Sequence, residues 1–347
     1  MSLPAKQRNI PVDTLRGLAC IMLVAYHVIG ITPQDGLHLQ DGMLKNSNEL
    51  LAYIRMPLFT FLSGLVYAWR PLNGDWKPFF MGKIRRLLVP MLIVGTLFAI
   101  IQAVTPGTST QIADWHFLHL KPVAHYWFLE SLFLIFMIII PLEKFKVLDT
   151  KAGITTVFCV ASYFFIANTG TPWLSIAGAF YLFPYFLAGI YCTRFPLDLK
   201  HQHIVGYIVI PAILLFLFFY GHEYISSRRS FIALLVGTIS CFALFLTNMR
   251  FSFLASIGNY SYSIYLFHIF FTAASRIIIN KTGISETSIL FVVGTIAGIS
   301  GPILVDLIMS KYDLPRIALL GKKPLKQPEN TAVFNTIPIQ PIAETGD

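Results

Sequence analysis

Arg16 and His27 are the first residues in this chain whose types and spacing suggest chemistry. They lie in Val12-Asp13-Thr14-Leu15-Arg16-Gly17-Leu18 and Tyr26-His27, inside one long apolar run. An ionisable side chain within such a run is costly and usually has a partner or a task. Eleven positions of helix make about three turns plus roughly 20°, so the two share one face, about 16 Å apart along the axis. Asp13, three residues before Arg16, shares that face and can pair with it. One reading makes His27 a general base and Arg16 an anchor for a bound anion. The other makes Arg16 a snorkelling interfacial residue and His27 a core histidine bonded to a backbone carbonyl. The spacing alone leaves both open.

Further polar residues interrupt apolar sequence elsewhere. Met81-Gly82-Lys83-Ile84-Arg85-Arg86 places Lys83 and Arg86 three apart, a spacing that suits a phosphate clamp for a polyanion such as coenzyme A, or an ordinary basic flank. His125-Tyr126-Trp127-Phe128-Leu129-Glu130 joins an interfacial aromatic belt to a carboxylate one turn deeper. Arg55, Arg276 and His27 fall at a similar depth and are candidate ion-pair partners for Glu130. Ser261, Tyr265 and His268 recur at i, i+4 and i+7 and make a polar stripe that lines a cavity or bonds neighbouring helices. His116 and His119 have a metal-like spacing without an acidic or cysteine partner, so no metal is expected. Cys20, Cys159, Cys192 and Cys241 all lie in apolar runs without CxxC spacing and read as free, buried, small hydrophobes. There is no GxSxG elbow, phosphate-binding glycine loop or nucleic-acid motif.

These residues need elements to hold them. The chain has 347 residues, 55% hydrophobic and 12% charged, with a net charge of +9. Its mean hydropathy is +0.66. Soluble domains carry about twice that charged fraction, so the composition excludes a disordered chain and a soluble enzyme and implies a polytopic membrane protein. About ten apolar runs have spanning length: 12–32, 52–70, 86–104, 126–143, 152–168, 176–193, 203–221, 230–248, 260–280 and 287–309. Most loop lysines and arginines fall on the side shared by both termini, which predicts both termini in the cytoplasm. The N-terminal stretch is not read as a signal peptide, because Asp13 and Arg16 break its apolar core. The expected fold is therefore all-α, a helix bundle over residues 1–310, followed by a cytoplasmic, largely disordered tail over 311–347.

Together these segments resemble acyltransferase family 3, integral-membrane O-acyltransferases that act on surface or exported glycans. The resemblance runs through residues 10–309. It rests on Arg16-x10-His27, Pro57-Leu58-Phe59-Thr60-Phe61-Leu62-Ser63-Gly64, the basic pair before the third span, His125-Tyr126-Trp127-Phe128-Leu129 and Tyr262-Ser263-Ile264-Tyr265-Leu266-Phe267-His268. It implies a ten-helix fold, acyl-CoA as donor, His27 as the catalytic histidine and Arg16 as its companion. The family's Arg-x-x-Arg before span three is Lys83-x-x-Arg86 here, which keeps the charge and loses one bidentate fork.

The resulting expectation is a multi-pass enzyme of the bacterial inner membrane that moves an acetyl or succinyl group to a hydroxyl of an exported polysaccharide. Its catalytic set is His27, Arg16 and Asp13, and acyl-CoA is held at Lys83, Arg85 and Arg86. Arg55, Trp127, Glu130, Tyr265, His268 and Arg276 are the substrate-side candidates. No tightly bound cofactor is expected; acetyl-CoA or succinyl-CoA serves as co-substrate. The expected partners are the lipid bilayer, a glycan or lipid-linked sugar acceptor and polysaccharide export proteins, with no nucleic acid. A glycan or lipid-intermediate flippase without acyl chemistry, and a non-catalytic export scaffold, remain as alternatives.

Overall fold

A computed structural model describes residues 9–30, 35–40, 42–105, 115–196, 200–225 and 227–325. They are helical, without a strand among the described residues. In chain order the helices are α1 (Ile10–Ile29), α2 (Met43–Ala68), α3 (Trp76–Lys83), α4 (Val89–Val104), α5 (Trp127–Lys144), α6 (Lys151–Ile166) and α7 (Ile176–Arg194). There follow α8 (Gln202–Tyr224), α9 (Phe231–Leu246), α10 (Ser252–Asn259), α11 (Ser261–Lys281), α12 (Thr287–Met309) and α13 (Asp313–Ala318). A π-helical turn, Ile84–Leu88, joins α3 to α4.

Eight helices among the described residues are long and apolar enough to cross a bilayer. The fifth and eighth predicted spans correspond to α6 and α9, which have 16 residues each. At about 1.5 Å per residue, each is shorter than the roughly 30 Å hydrocarbon layer. Their ends are set by polar sequence. Thr150 and Ser230 cap the N-termini, accepting from the Gly153 and Ala233 amides, and Asn168 and Asn248 take left-handed backbone just past the C-termini. The chain is a multi-pass membrane protein, and Ile208, Phe219 and Ile296 on α8 and α12 face outward as lipid-facing residues must.

α1 runs through the middle of the bundle and touches α2, α9, α10, α11 and α12. Asn9 caps it by accepting from the Val12 amide at 3.1 Å, Pro11 fits the first turn, and Gly30 ends it at φ +99°. Two glycines allow its seam with α10. A Cβ on Gly17 would lie 1.9 Å from the Leu254 carbonyl oxygen, and one on Gly258 would lie 1.9 Å from that of Asp13. Only bare backbone permits this approach, as in small-residue helix seams in membranes. α2 and α7 meet in the same way through Gly64 and Gly189.

The tail is partly structured. Asp306, buried in α12, accepts from Ser263 at 2.5 Å and from Lys322 Nζ at 2.6 and 2.8 Å, and Leu320 is buried. Residues 326–347, most of the segment read as disordered, lie outside the described residues. Cys20 and Cys241 are buried as expected. Cys192 is half-buried and Cys159 exposed on α6, correcting the reading of all four as buried; each cysteine is free.

Candidate active site

His27 is brought beside two other histidines. Its ring centre is 4.9 Å from that of His268 on α11 and 5.8 Å from that of His125, and those two rings are 5.0 Å apart. His125 comes from the short 3-10 turn that leads into α5. The three residues are remote in sequence and meet only because α1, α11 and the start of α5 converge.

Backbone carbonyls fix the outer two rings. His268 Nδ1 lies 2.8 Å from the Ile264 carbonyl oxygen and 3.0 Å from that of Tyr265. His125 Nε2 lies 3.1 Å from the same Tyr265 oxygen. A carbonyl can only accept, so these nitrogens carry the hydrogens in neutral rings. His268 Nε2 and His125 Nδ1 are then bare acceptors, and both are buried without a partner. The Tyr265 hydroxyl donates to the His125 carbonyl, and the Tyr126 hydroxyl donates to the Leu266 carbonyl at 2.8 Å, which clamps α11 to the start of α5. His268 is fully buried and His125 nearly so; His27 is half-buried.

His27 opens onto a cavity of about 900 Å³, a size typical of small-molecule sites. Its walls include Tyr26, Arg55, Trp127, Tyr265 and Arg276. Its rim takes residues from the end of α1, the end of α4, the start of α5 and the turn before α9. All are at the bundle end remote from the start of α1, so the cavity opens opposite the terminal side. Arg55 is 2% exposed, its guanidinium carbon 3.7 Å above the Tyr26 ring. One of its nitrogens donates to Asn48 at 3.4 Å, and Nε is buried without a partner. Arg276 donates to the Gly36 carbonyl.

Glu130 and His268 are not in the wall. Glu130 is buried and takes its bond from the Ser175 hydroxyl at 2.5 Å, rather than pairing with Arg55, Arg276 or His27. Ser131 donates to the Ser175 carbonyl at 3.0 Å. Leu174 and Ser175 both have left-handed backbone, at φ +53° and +51°. The two α5 side chains hold that unfavourable turn in place, and Ser175 in turn lines the cavity. Glu130 thus positions a wall.

The basic residues form a second cluster at the terminal end of the bundle, outside the cavity wall. Arg16 donates to Asp13 at 3.2 Å, as the spacing predicted, and lies close enough to Arg86 for their charges to interact. Lys83 places Nζ 3.3 Å above the Phe136 ring and 4.8 Å from that of Phe79. Arg85 has a buried Nε without a partner. The π turn between them has a cause in the sequence. Pro90 has no amide for the Arg86 carbonyl four residues back, and the Val89 amide reaches Ile84 instead. The freed Arg86 carbonyl accepts from the Tyr262 hydroxyl at the start of α11, the helix that carries His268.

The shared helix face singles out His27, Arg16 and Asp13; of these the structure brings His27 to the cavity and pairs Arg16 with Asp13 outside it. In the sequence His125 is only a mark of resemblance and has no site role, because a histidine at the head of an aromatic belt carries no periodic signal. Tyr26 and the arginines after α8 were likewise unassigned.

Neither a curated protein nor a solved structure matches the chain. A family model described as an acyltransferase domain matches residues 9–307, which takes in all three histidines, the cavity and the basic cluster. That match covers most of the chain, and the chain belongs to acyltransferase family 3.

Proposed function

We propose that this membrane acyltransferase is an O-acyltransferase, with acyl-CoA as donor and a glycan or lipid-linked sugar hydroxyl as acceptor. The observation that carries this reading is the position of the His27 ring, which opens onto the cavity with the His125 and His268 rings packed 5.8 and 4.9 Å from it. An acceptor hydroxyl in the cavity gives its proton to a His27 ring nitrogen. The oxygen attacks the thioester carbonyl, the carbon–sulfur bond breaks, and the departing sulfur takes the proton from His27. The products are an ester and free CoA. The His268 and His125 rings, packed 4.9 and 5.8 Å from that of His27, hold it in position for this proton transfer.

The donor enters from the terminal side. Arg16, Lys83, Arg85 and Arg86 hold its phosphates, with Asp13 fixing Arg16, and the thioester arm reaches up along α1. Lys83 is seated on two aromatic rings and supplies a point charge in place of a guanidinium fork. On the acceptor side Trp127 and Tyr265 present ring faces to a sugar, and Arg55 and Arg276 supply positive charge. Acetyl is the group transferred, with succinyl the alternative. The protein sits in the bacterial inner membrane, with both termini cytoplasmic, and works beside polysaccharide export proteins.

The test is acyl transfer and CoA release by the detergent-purified protein, wild type against His27→Ala. A loss of about two to four orders of magnitude is expected if His27 is the general base. Transfer that persists in His27→Ala would falsify the assignment, and sugar movement across vesicles without CoA release would place the chain among flippases instead.

A further inference from the structure

The charges around the cavity are one-sided. Arg55, Arg228, Arg229 and Arg276 line it, and Asp35 is the acidic residue in its wall among the described residues. Asp35 lies near Arg276, and Arg228 also lines a small adjoining pocket with Glu49. Arg229 donates to the Ala177 carbonyl at 2.7 Å, and its other terminal nitrogen, NH1, is buried without a partner.

Arg55 is the most informative of the four. It is 2% exposed, yet among the described residues no carboxylate is bonded to it. Its neighbours are the face of Tyr26 and a long bond to Asn48, and its Nε is unsatisfied. A buried guanidinium without an anion is expensive, and the cost is relieved when a ligand brings the missing charge. The site is also close to the proposed reaction centre. Tyr26 lies 3.7 Å from the Arg55 guanidinium carbon and 4.9 Å, ring to ring, from His27. Arg55 and the His27 ring are therefore no farther apart than those two contacts laid end to end.

Resting on the acyltransfer reading above, we propose that the acceptor is an anionic sugar: a carboxylate or phosphate on it is bound by Arg55, and this places a nearby hydroxyl at His27. Arg228 and Arg229 at the mouth attract the same charge on its way in. The cavity opens away from the proposed CoA site, so its mouth receives the acceptor. The anion belongs to the sugar rather than to the transferred acyl group.

The experiment is ligand binding by calorimetry to the detergent-purified full chain. The probes are methyl β-glucuronide, glucose 1-phosphate and neutral methyl β-glucoside. At least one anionic sugar is expected to bind about tenfold or more tightly than the glucoside, the equivalent of one charge-assisted bond. Which of the two does so identifies the group as carboxylate or phosphate. Arg55→Gln should remove the preference. Arg228→Gln at the exposed mouth, a change with little consequence for folding, should reduce it and steepen no other property of binding. Equal binding of all three probes, no binding by either anionic sugar, or an unchanged preference in both variants overturns the proposal. CoA release from acetyl-CoA by the same preparation is read separately. Anionic preference without any CoA release refutes the transfer reading alone, whereas CoA release without the preference refutes the anionic acceptor alone.

Discussion

Gly17→Ala should destabilise the bundle by an amount that follows from the α1–α10 seam. The added methyl would stand 1.9 Å from the Leu254 carbonyl oxygen, with the Leu254 carbonyl carbon at 2.7 Å. A relaxed carbon–oxygen contact needs about 3.3 Å, so the helices must part by roughly 1.4 Å. No side chain can rotate away, because both obstacles are backbone. One turn along the seam, Gly258 meets the Asp13 carbonyl just as closely, so parting the helices loosens that contact as well. A radial gap of this size forfeits about half or more of the dispersion energy across the seam. The expected cost lies at the upper end of overpacking, about 3 kcal/mol. For a chain this long that corresponds to a fall of the order of 5 °C in the heat-inactivation midpoint, compared at matched scan rate because membrane proteins unfold irreversibly. Gly82→Ala is the control. It lies in α3 with nothing within 4 Å of the added carbon, and should be neutral or gain up to about 1 kcal/mol from helix propensity. If Gly17→Ala melts like Gly82→Ala, the backbone-to-backbone seam is wrong, and with it the placement of α1 against α10.

Other perturbations test the site piece by piece. His268→Gln should lower turnover by about tenfold to a thousandfold while leaving the KM for acyl-CoA unchanged, since His268 is remote from the basic cluster; a pure KM effect in steady-state kinetics would contradict its orienting role. Lys83→Ala with Arg86→Ala should weaken acyl-CoA binding by at least about tenfold, measured by titration with a non-hydrolysable analogue, and unchanged affinity would remove the donor site from that turn. Glu130→Ala strips the Ser175 hydroxyl of its acceptor and frees the left-handed turn, costing about 1–3 kcal/mol in a thermal melt without changing CoA binding. Arg194→Ala leaves Glu143, 7% exposed, without its 2.5 Å partner and should cost about 3 kcal/mol or more; retention of full stability would show that the Tyr67 hydroxyl, 2.9 Å from the same oxygen, suffices.

The helices were legible because a membrane span must satisfy its backbone internally, which imposes long apolar runs that a sequence displays directly. The exceptions are instructive. The runs at 152–168 and 230–248 are apolar enough to be counted, but Asn168 and Asn248 end α6 and α9 early, and their 16 residues show in the backbone rather than in the hydropathy. The common face of Arg16, Asp13 and His27 was readable because they share one helix and its period, although only His27 reaches the cavity. His125 was not, and Glu130 was legible as a candidate but its partner was not. The first finds its partners on α1 and α11, and the second finds its partner in the turn before α7, through packing that leaves no trace in local spacing. The ion pair expected between Glu130 and Arg55, Arg276 or His27 was misread for the same reason: Arg55 stacks on Tyr26 and donates to Asn48, while Glu130 accepts from Ser175.

α1 also acts as a ruler. Arg16 marks a point in its first half and His27 one near its far end, and the roughly 16 Å between them is a rigid rise set by helix geometry. A donor gripped by its phosphates at the first mark reacts at the second only if a slender arm of matching reach connects the two. Coenzyme A has such an arm in its pantetheine chain. A short thioester that carries the reactive carbonyl alone would reach the histidine untethered, and would have to forgo every contact made at the other end of the gauge.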